Sequence, residues 1–360
     1  FRIEHAQHLR PADAPRLARL GVVASMQPYH AIDDGRWAEK RIGATRIRNM
    51  YVFRTLLDNH THLAFGSDWT VAPIDPLLVF HVVFGKSVPD ISLNAVANLG
   101  YAEGKFLVPV YPGDTLSASS EVLGLKQNSN GKTGVVTVRT TGVNQMGEPV
   151  LSYVRWVMVN KRDENAPVEN APPTTPAPFV PANELLLPPE LEFGEYSTAL
   201  SGSPHFFEDY AVGEKIDHVD GMTVEEAEHQ LATRLYQNTA RVHFDALAQA
   251  GSRFGKRLIY GGVAISLARA IAFNGLGNAA YLLAINAGRH VNPLFAGDTL
   301  YAWSEVLDTA DLGSAGALRL RLVATKNRPC ADFPGKNDAG EYDPAVVLDF
   351  DYWAAIPKRS

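Results

Sequence analysis

The sequence predicts an α+β protein in which one unit, a helix followed by an antiparallel sheet, occurs twice. Three observations support this prediction: an internal repeat, a proline-rich segment between its two copies, and strand-like runs that follow an apolar helix. The chain has 360 residues, which is more than one hydrophobic core usually organises. We therefore expect two or three domains.

The internal repeat is visible at the level of residue identity. PVYPGDTLSASSEVL (109–123) and PLFAGDTLYAWSEVL (293–307) are identical at 10 of 15 positions, with an offset of 184. Further on, LSYVRWVMVNKR (151–162) matches LDFDYWAAIPKR (348–359). The same structural unit is therefore expected in both halves of the chain.

A proline-rich segment separates the two copies. Eight of the 23 prolines fall between Pro167 and Pro189. This density disfavours regular helix or sheet and favours extended, semi-rigid backbone. We interpret residues 163–200 as an interdomain linker.

Each copy contains a predicted helix and predicted strands. In the second copy, GGVAISLARAIAFNGLG (261–277) is apolar on nearly all sides, as a buried central helix should be. Four strand-like runs follow it: LLAINAGRHV, TLYAWSEVLD, ALRLRLVATK and AVVLDFDYWAAI. The first copy has the runs VTVRTTGVNQ and PVLSYVRWVMV, and its helix must lie in DPLLVFHVVFGK. A helix wrapped by an antiparallel sheet is the hot-dog arrangement, so we predict a double hot dog. Its first domain (75–162) lacks the front, and its second (201–360) is complete.

Composition and charge limit the location and partners of the protein. With 33 basic and 39 acidic residues the net charge is −6, so the chain lacks the basic field of a nucleic-acid binder. No run of 18 apolar residues predicts a membrane span, and the N-terminal residues carry charges where a secretory signal would be apolar. The single cysteine, Cys330, cannot form an intrachain disulfide. We expect a cytoplasmic protein.

The candidate chemistry lies ahead of the second central helix. A Thr223/Glu226 capping box predicts a helix that runs to about Tyr236. It is followed by QNTARVHFD, which places Asn238 and His243 in an irregular turn and a short helix. Imidazole titrates near neutrality, so His243 can take a proton from water and return it, while the Asn238 amide can hold that water.

Two glycines open the predicted central helix. The free N–H groups of Gly261 and Gly262, at the positive end of the helix dipole, can stabilise the developing enolate oxygen of a thioester. The alternative is that the paired glycines only make the turn before the helix.

Several of these segments carry a family resemblance. TVEEAEHQLATRLYQNTARVHFDA, RLIYGGVAISLARA, NPLFAGDTLYAWSEVL and FFEDYAVGEKIDHVDGMT resemble the MaoC-like, R-specific enoyl-CoA hydratase/dehydratase family. Within that family, residues 75–359 are most similar to the mesaconyl-CoA hydratases, also called β-methylmalyl-CoA dehydratases. Shared phrases include DISLNAVANLGYAEGKFL and ALRLRLVATKNRPCADFP.

The resemblance implies a role for each candidate residue. The family motif is Asp followed by Asn-Pro-x-His; here Asn238 takes the Asp position, Ala240-Arg241 the Asn-Pro pair, and His243 the His position. His243 would then act as base largely alone, with Asn238 orienting the water and Gly261 supplying the oxyanion amide. The implied reaction is reversible hydration of a 2-enoyl-CoA, mesaconyl-CoA to β-methylmalyl-CoA. This reaction requires no metal or redox cofactor, and CoA belongs to the substrate. The resemblance leaves open whether two chains form a homodimer.

Four basic residues accompany these candidates. Arg241, Arg253, Lys256 and Arg257 can contact CoA phosphates or the free carboxylate of a methylfumaryl group. The alternative is a solvated basic face.

The opening segment resembles a different family. FRIEHAQHL, GVVASMQPYHA and THLAFGSDWTV, all within residues 1–74, are similar to late strands and loops of metal-dependent amidohydrolase barrels. That resemblance implies that His5 is a metal ligand and Asp68 a ligand and proton acceptor. The other ligands of that family are absent from the sequence, and 74 residues cannot close an eight-stranded barrel. We therefore expect no metal site, and we interpret the chain as a chimera in which this fragment replaces the front of the first hot dog.

Three other functions stay open at this point. One is a hot-dog acyl-CoA thioesterase, for which Asp245 would have to supply a carboxylate. Another is an amidohydrolase that acts through residues 1–74. The third is an inactive hot-dog protein whose incomplete first copy has cost it activity.

Overall fold

The computed structural model divides the chain into two compact units. One comprises Phe1–Ile74 with Tyr111–Gly113, and the other comprises Asp75–Val110 with Asp114–Ser360. The structure describes the whole chain apart from residues 28–29, 32–33, 35–37, 66–74, 112, 168, 174, 190, 192, 195, 280 and 360.

The first unit is a small α/β structure. Its strands β1 (Arg2–Glu4), β2 (Val23–Met26) and β3 (Leu63–Phe65) form a parallel sheet in that order. The helices of its described part are α1 (Ala14–Arg19), α2 (Ala38–Ile42) and α3 (Phe53–Asp58). Ala14, Leu17, Ala24, Met26 and Leu56 form its buried core.

The second unit is built on a ten-stranded antiparallel sheet. Its strands follow the order β5-β6-β7-β4-β10-β13-β12-β11-β8, and β9 also pairs with β11. The strands are β4 (Ala95–Phe106), β5 (Ser117–Gln127), β6 (Thr133–Val143), β7 (Pro149–Asn160), β8 (Lys215–Asp217), β9 (Met222–Thr223), β10 (Tyr281–His290), β11 (Thr299–Asp311), β12 (Gly316–Lys326) and β13 (Val346–Ile356). All ten pair antiparallel, and the predicted α+β double hot-dog class is confirmed.

The two copies of the repeat join edge to edge through β4 and β10. Tyr101 lies opposite Gly288, and Gly104 lies opposite Ile285. Under the repeat offset of 184, Tyr101 corresponds to Ile285 and Gly104 to Gly288. The pairing therefore has the self-complementary pattern of a two-fold interface. A Cβ on Gly104 would lie 2.8 Å from Cβ of Ile285, so only glycine permits this approach.

Each copy places a helix against the sheet. The first is α4 (Pro76–Ser87), capped by the Asp75 carboxylate, which accepts a 2.7 Å hydrogen bond from the Leu77 N–H. After the short helix α5 (Thr198–Ser201), the second copy has α6 (Glu226–Leu235), α7 (Arg241–Phe244), α8 (Ala246–Ala250) and the central helix α9 (Gly261–Ile271).

Two predicted helix boundaries were wrong. The central helix ends at Ile271 rather than Gly277, and it cannot continue to Gly277 because Asn274 leaves helical geometry and Gly275 adopts a φ of +95°. The capping box is formed by Glu225 and Glu228 rather than by Thr223 and Glu226. Thr223 lies in β9, where its hydroxyl is 2.8 Å from that of Thr299, so the sheet holds it in extended conformation.

The proline-rich segment packs on the second copy. Val180 belongs to a buried cluster with Leu283, Ala317 and Trp353. Its N–H donates to Oδ1 of Asn286 at 2.8 Å, and its carbonyl accepts from the indole N–H of Trp353 at 2.9 Å. These contacts fix the connection across the sheet.

Candidate active site

A cavity in the second unit is lined by both copies of the repeat. It holds about 760 Å³ of empty space that continues into open solvent. The first copy contributes α4, β4 and β7, and the second contributes the segment from Asn238 to Ala264 and the end of β10. No Asp or Glu is among its described lining residues.

His243 lies in α7 at this cavity. Its Nδ1 is 3.0 Å from the carbonyl oxygen of Leu258, and because a carbonyl can only accept, Nδ1 carries the proton. The Nε2 lone pair is therefore available. Burial lowers the pKa of His243 to about 4, so the ring is neutral near pH 7.

The loop ahead of α9 is fixed by backbone contacts. The Tyr260 N–H donates to Nε2 of the buried His229 at 3.0 Å, and the Leu258 N–H donates to the Val242 carbonyl at 3.1 Å. The His243 ring packs on Tyr260, with 5.8 Å between ring centroids. Together these contacts hold α7 against the start of α9.

Asn238 lines the cavity and is 1% exposed. Its Oδ1 accepts from the Ala240 N–H at 3.3 Å, which closes the turn between α6 and α7. No described residue accepts a hydrogen bond from its Nδ2. That amide group can therefore donate to a bound molecule.

Gly261 and Gly262 are the first two residues of α9. Neither N–H donates to a described residue, as expected for the first turn of a helix. Gly261 lines the cavity, and a Cβ there would lie 2.3 Å from Nε2 of His290. Gly262 is outside the lining, and a Cβ there would lie 2.5 Å from the Tyr260 ring and 2.7 Å from Cε1 of His81. Packing alone thus accounts for glycine at both positions.

The four basic residues do not line the cavity. Arg241, Arg253 and Lys256 are exposed, and Lys256 sits 4.3 Å from the Phe295 ring centroid. Arg257 is paired with Glu226, with Nη2 2.5 Å from the carboxylate. Asp245, the carboxylate that a thioesterase would need, caps α8 by accepting from the Ala248 N–H at 2.9 Å, and it lies outside the lining.

Sequence reasoning missed other polar residues of this cavity. His290 ends β10, and its Nε2 is 3.0 Å from the Tyr101 hydroxyl. Burial lowers the pKa of His290 to about 4 and raises that of Tyr101. Asn98 and Arg155 line the cavity from β4 and β7. The available signal was a polar residue inside an apolar strand, as with Arg155 in LSYVRWVMV.

The opening unit shows no metal-ligand cluster in its described part. Nδ1 of His5 is 3.0 Å from Oε1 of Gln27, and the ring stacks on His30 with 6.1 Å between centroids. Asp68 lies outside the described residues. In the part of the chain that the structure describes, no three His, Cys, Asp or Glu side chains come together as metal ligands, and no helix is long and apolar enough to cross a membrane.

The fold and the cavity place the chain among MaoC-like double hot-dog proteins. A family model described as mesaconyl-CoA hydratase matches residues 59–339, and the chain belongs to that family. A second model, described as amidohydrolase family, matches residues 1–91. Both resemblances inferred from the sequence are confirmed.

Individual relatives agree with this family. The chain is 58% identical over 315 residues to a β-methylmalyl-CoA dehydratase of Chloroflexus aurantiacus, covering 86% of this chain and 89% of the relative. A crystal structure of a MaoC domain protein dehydratase from the same organism shares 60% identity, with a TM-score of 0.77 over 80% of this chain and 83% of that one. A Mycobacterium tuberculosis protein with a double hotdog fold gives a TM-score of 0.61 at 27% identity, over 79% of this chain and 82% of that chain.

Proposed function

We propose that the chain catalyses the reversible addition of water to mesaconyl-CoA, giving β-methylmalyl-CoA. The observation that carries the proposal is the unprotonated Nε2 of His243, held by the bond from Nδ1–H to Leu258 in a cavity whose described lining has no carboxylate. The family and the relative's name support the substrate.

In the proposed reaction, His243 moves one proton. Its Nε2 takes a proton from water while the hydroxyl oxygen bonds to the β-carbon of the enoyl group. The π electrons shift toward the thioester oxygen, and the imidazolium then returns the proton to the α-carbon. Water is consumed, and no other group changes its protonation state.

Asn238 and Gly261 position this chemistry. The free Nδ2–H of Asn238 can donate to the oxygen of the attacking water. The Gly261 N–H can donate to the thioester oxygen as negative charge gathers there, aided by the dipole of α9. The Gly262 N–H stays a second candidate donor.

We infer that CoA enters as part of the substrate and that the steps above use no separate cofactor. The exposed Arg241, Arg253 and Lys256 are the proposed contacts for CoA phosphates, whereas Glu226 already neutralises Arg257. Pairing of two chains into a homodimer and a cytoplasmic location stay predictions.

One assay separates the proposal from its rivals. Mesaconyl-CoA is mixed with the protein while the enoyl-thioester absorbance and free thiol are followed together. Hydration lowers the absorbance with no thiol released, whereas a thioesterase releases thiol. If neither signal changes, the proposal is overturned, and an inactive hot-dog protein or an amidohydrolase is favoured instead. The amidohydrolase is tested separately by measuring whether zinc is retained after dialysis.

A further inference from the structure

Arg155 is a wholly buried cation in the wall of the cavity. It lies on β7, in the copy of the repeat that does not carry His243. Its guanidinium donates from Nη1 to Oγ of Ser92 at 3.3 Å and from Nη2 to Oγ of Ser87 at 2.9 Å, and it sits 4.4 Å from the Phe84 ring centroid. Its Nε has no partner. No Asp or Glu of the described chain pairs with this charge.

Asn98 lines the same cavity from the neighbouring strand. Its Oδ1 and Nδ2 are both buried, and neither has a hydrogen-bond partner among the described residues. In the β4–β7 register Asn98 lies opposite Val157, two residues from Arg155 along β7. The cavity wall therefore contains a guanidinium and a carboxamide at diagonal positions of two paired strands, each with an unused donor.

Such an arrangement is costly unless something occupies it. A buried cation normally has an opposite charge beside it, and buried amide groups normally have hydrogen-bond partners. Arginine presents a planar set of donors that matches a carboxylate, and an amide N–H can add a further donor. A carboxylate that enters the cavity would satisfy both the guanidinium and the amide.

We propose that Arg155 and Asn98 bind the free carboxylate of the acyl group and so select a dicarboxylic acyl thioester. This inference rests on the proposed function, since it assigns the specificity of the same cavity. The carboxylate of mesaconyl-CoA is bonded to the β-carbon that receives water, so binding it also orients that carbon relative to His243. Arg241, Arg253, Lys256 and Arg257 lie outside this wall and do not share the role.

The discrimination should be strong. An acyl group with a methyl in place of the carboxylate would leave a buried guanidinium and a buried amide dehydrated and unpaired. A site built to bond a polar group can reject an analogue that lacks it by about 10⁴-fold. The expected preference thus comes from the penalty on the neutral substrate as much as from attraction of the charged one.

The test compares two substrates: mesaconyl-CoA and (E)-2-methylbut-2-enoyl-CoA, in which a methyl replaces the carboxylate. For the parent protein we expect kcat/KM to favour mesaconyl-CoA by about 10⁴-fold. Arg155→Met should remove most of this preference by lowering kcat/KM for mesaconyl-CoA while the methyl analogue keeps its rate or gains. Arg155→Lys, which keeps the charge but not the planar fork, should fall between the two.

The matched control is Arg139→Met on the adjacent strand β6. Arg139 pairs with Glu103 at 2.6 Å and does not line the cavity, so the preference should stay as in the parent. Asn98→Leu should also reduce the kcat/KM preference for mesaconyl-CoA, and it leaves the contacts of Arg155 with Ser87 and Ser92 intact. This variant therefore tests the proposal even if Arg155→Met does not fold. An equal loss on both substrates would mean that Arg155 only holds Ser87 and Ser92 in place.

Failure of this inference is distinguishable from failure of the proposed function. A parent protein that hydrates both substrates at similar rates would overturn the role of Arg155 and leave the hydration chemistry standing. A parent protein that hydrates neither would overturn both.

Discussion

The Nδ1–H of His243 donates a 3.0 Å hydrogen bond to the carbonyl oxygen of Leu258. This bond fixes the tautomer of the ring, because the carbonyl cannot donate. It also ties α7 to the loop that leads into α9, so the base and the helix N-terminus are positioned by the same contact.

Replacing His243 should remove the base. For His243→Ala we expect kcat/KM for mesaconyl-CoA to fall by about 10²- to 10⁴-fold, the usual contribution of a positioned base. The matched control is His205→Ala, which removes an exposed imidazole outside the cavity and should keep full activity. A His243→Ala protein as fast as the parent would show that another group takes the proton.

The pH dependence of kcat/KM in the parent should reflect the lowered pKa of His243. Burial disfavours the charged imidazolium and lowers the pKa of His243 to about 4, so the active, neutral form persists well below pH 6.5. We expect kcat/KM to be flat from neutral pH to near pH 5 and to decline below that with an apparent pKa of about 4. A decline of kcat/KM centred near pH 6.5 would contradict a lowered pKa of His243.

A carboxylate at position 238 should shift the acidic limb of the pH profile of kcat/KM. In Asn238→Asp, an anion in the cavity wall would stabilise the imidazolium, so the acidic limb should move to higher pH by about one unit. Asn238→Ala removes the amide without adding charge. This variant should lower kcat without changing the pH at which kcat/KM declines. A shift of that pH in both variants would point to a change of structure instead.

A methyl group at Gly261 should disturb the site. A Cβ there would lie 2.3 Å from the His290 ring, so the ring or the start of α9 must move. Displacements of about 1 Å can cost 100-fold in rate, and we expect a loss of that order for Gly261→Ala. The control is Gly251→Ala, where a Cβ meets nothing within 4 Å and activity should be unchanged.

The sequence was most informative where its signal was local. The repeat predicted equivalent strands in both copies, and the apolar run after Gly261 predicted the central helix. The end of that helix depended on the backbone of Asn274 and Gly275, and the capping residue on whether Thr223 joined a strand. Both outcomes are decided by tertiary contacts that composition does not reveal.

The composition of the cavity was less predictable. Asn238 and His243 are five residues apart, so a local pattern could find them. Arg155 and Asn98 lie on strands of the first copy, far in sequence from His243, and long-range contacts bring these strands to the segment that carries it: β4 pairs with β10, and the Arg241 N–H donates to the Leu93 carbonyl at 3.4 Å. Long-range strand pairing is the information that the sequence pattern lacked.

The edge-to-edge join of β4 and β10 has a genetic consequence. In a symmetric homodimer every substitution appears in both partners and alters two sites at once. Here the two partners are encoded in tandem, with Tyr101 opposite Gly288 and Gly104 opposite Ile285, so each can change alone. A mutation in one copy therefore alters only one side of the cavity, and the two copies are free to specialise in different tasks.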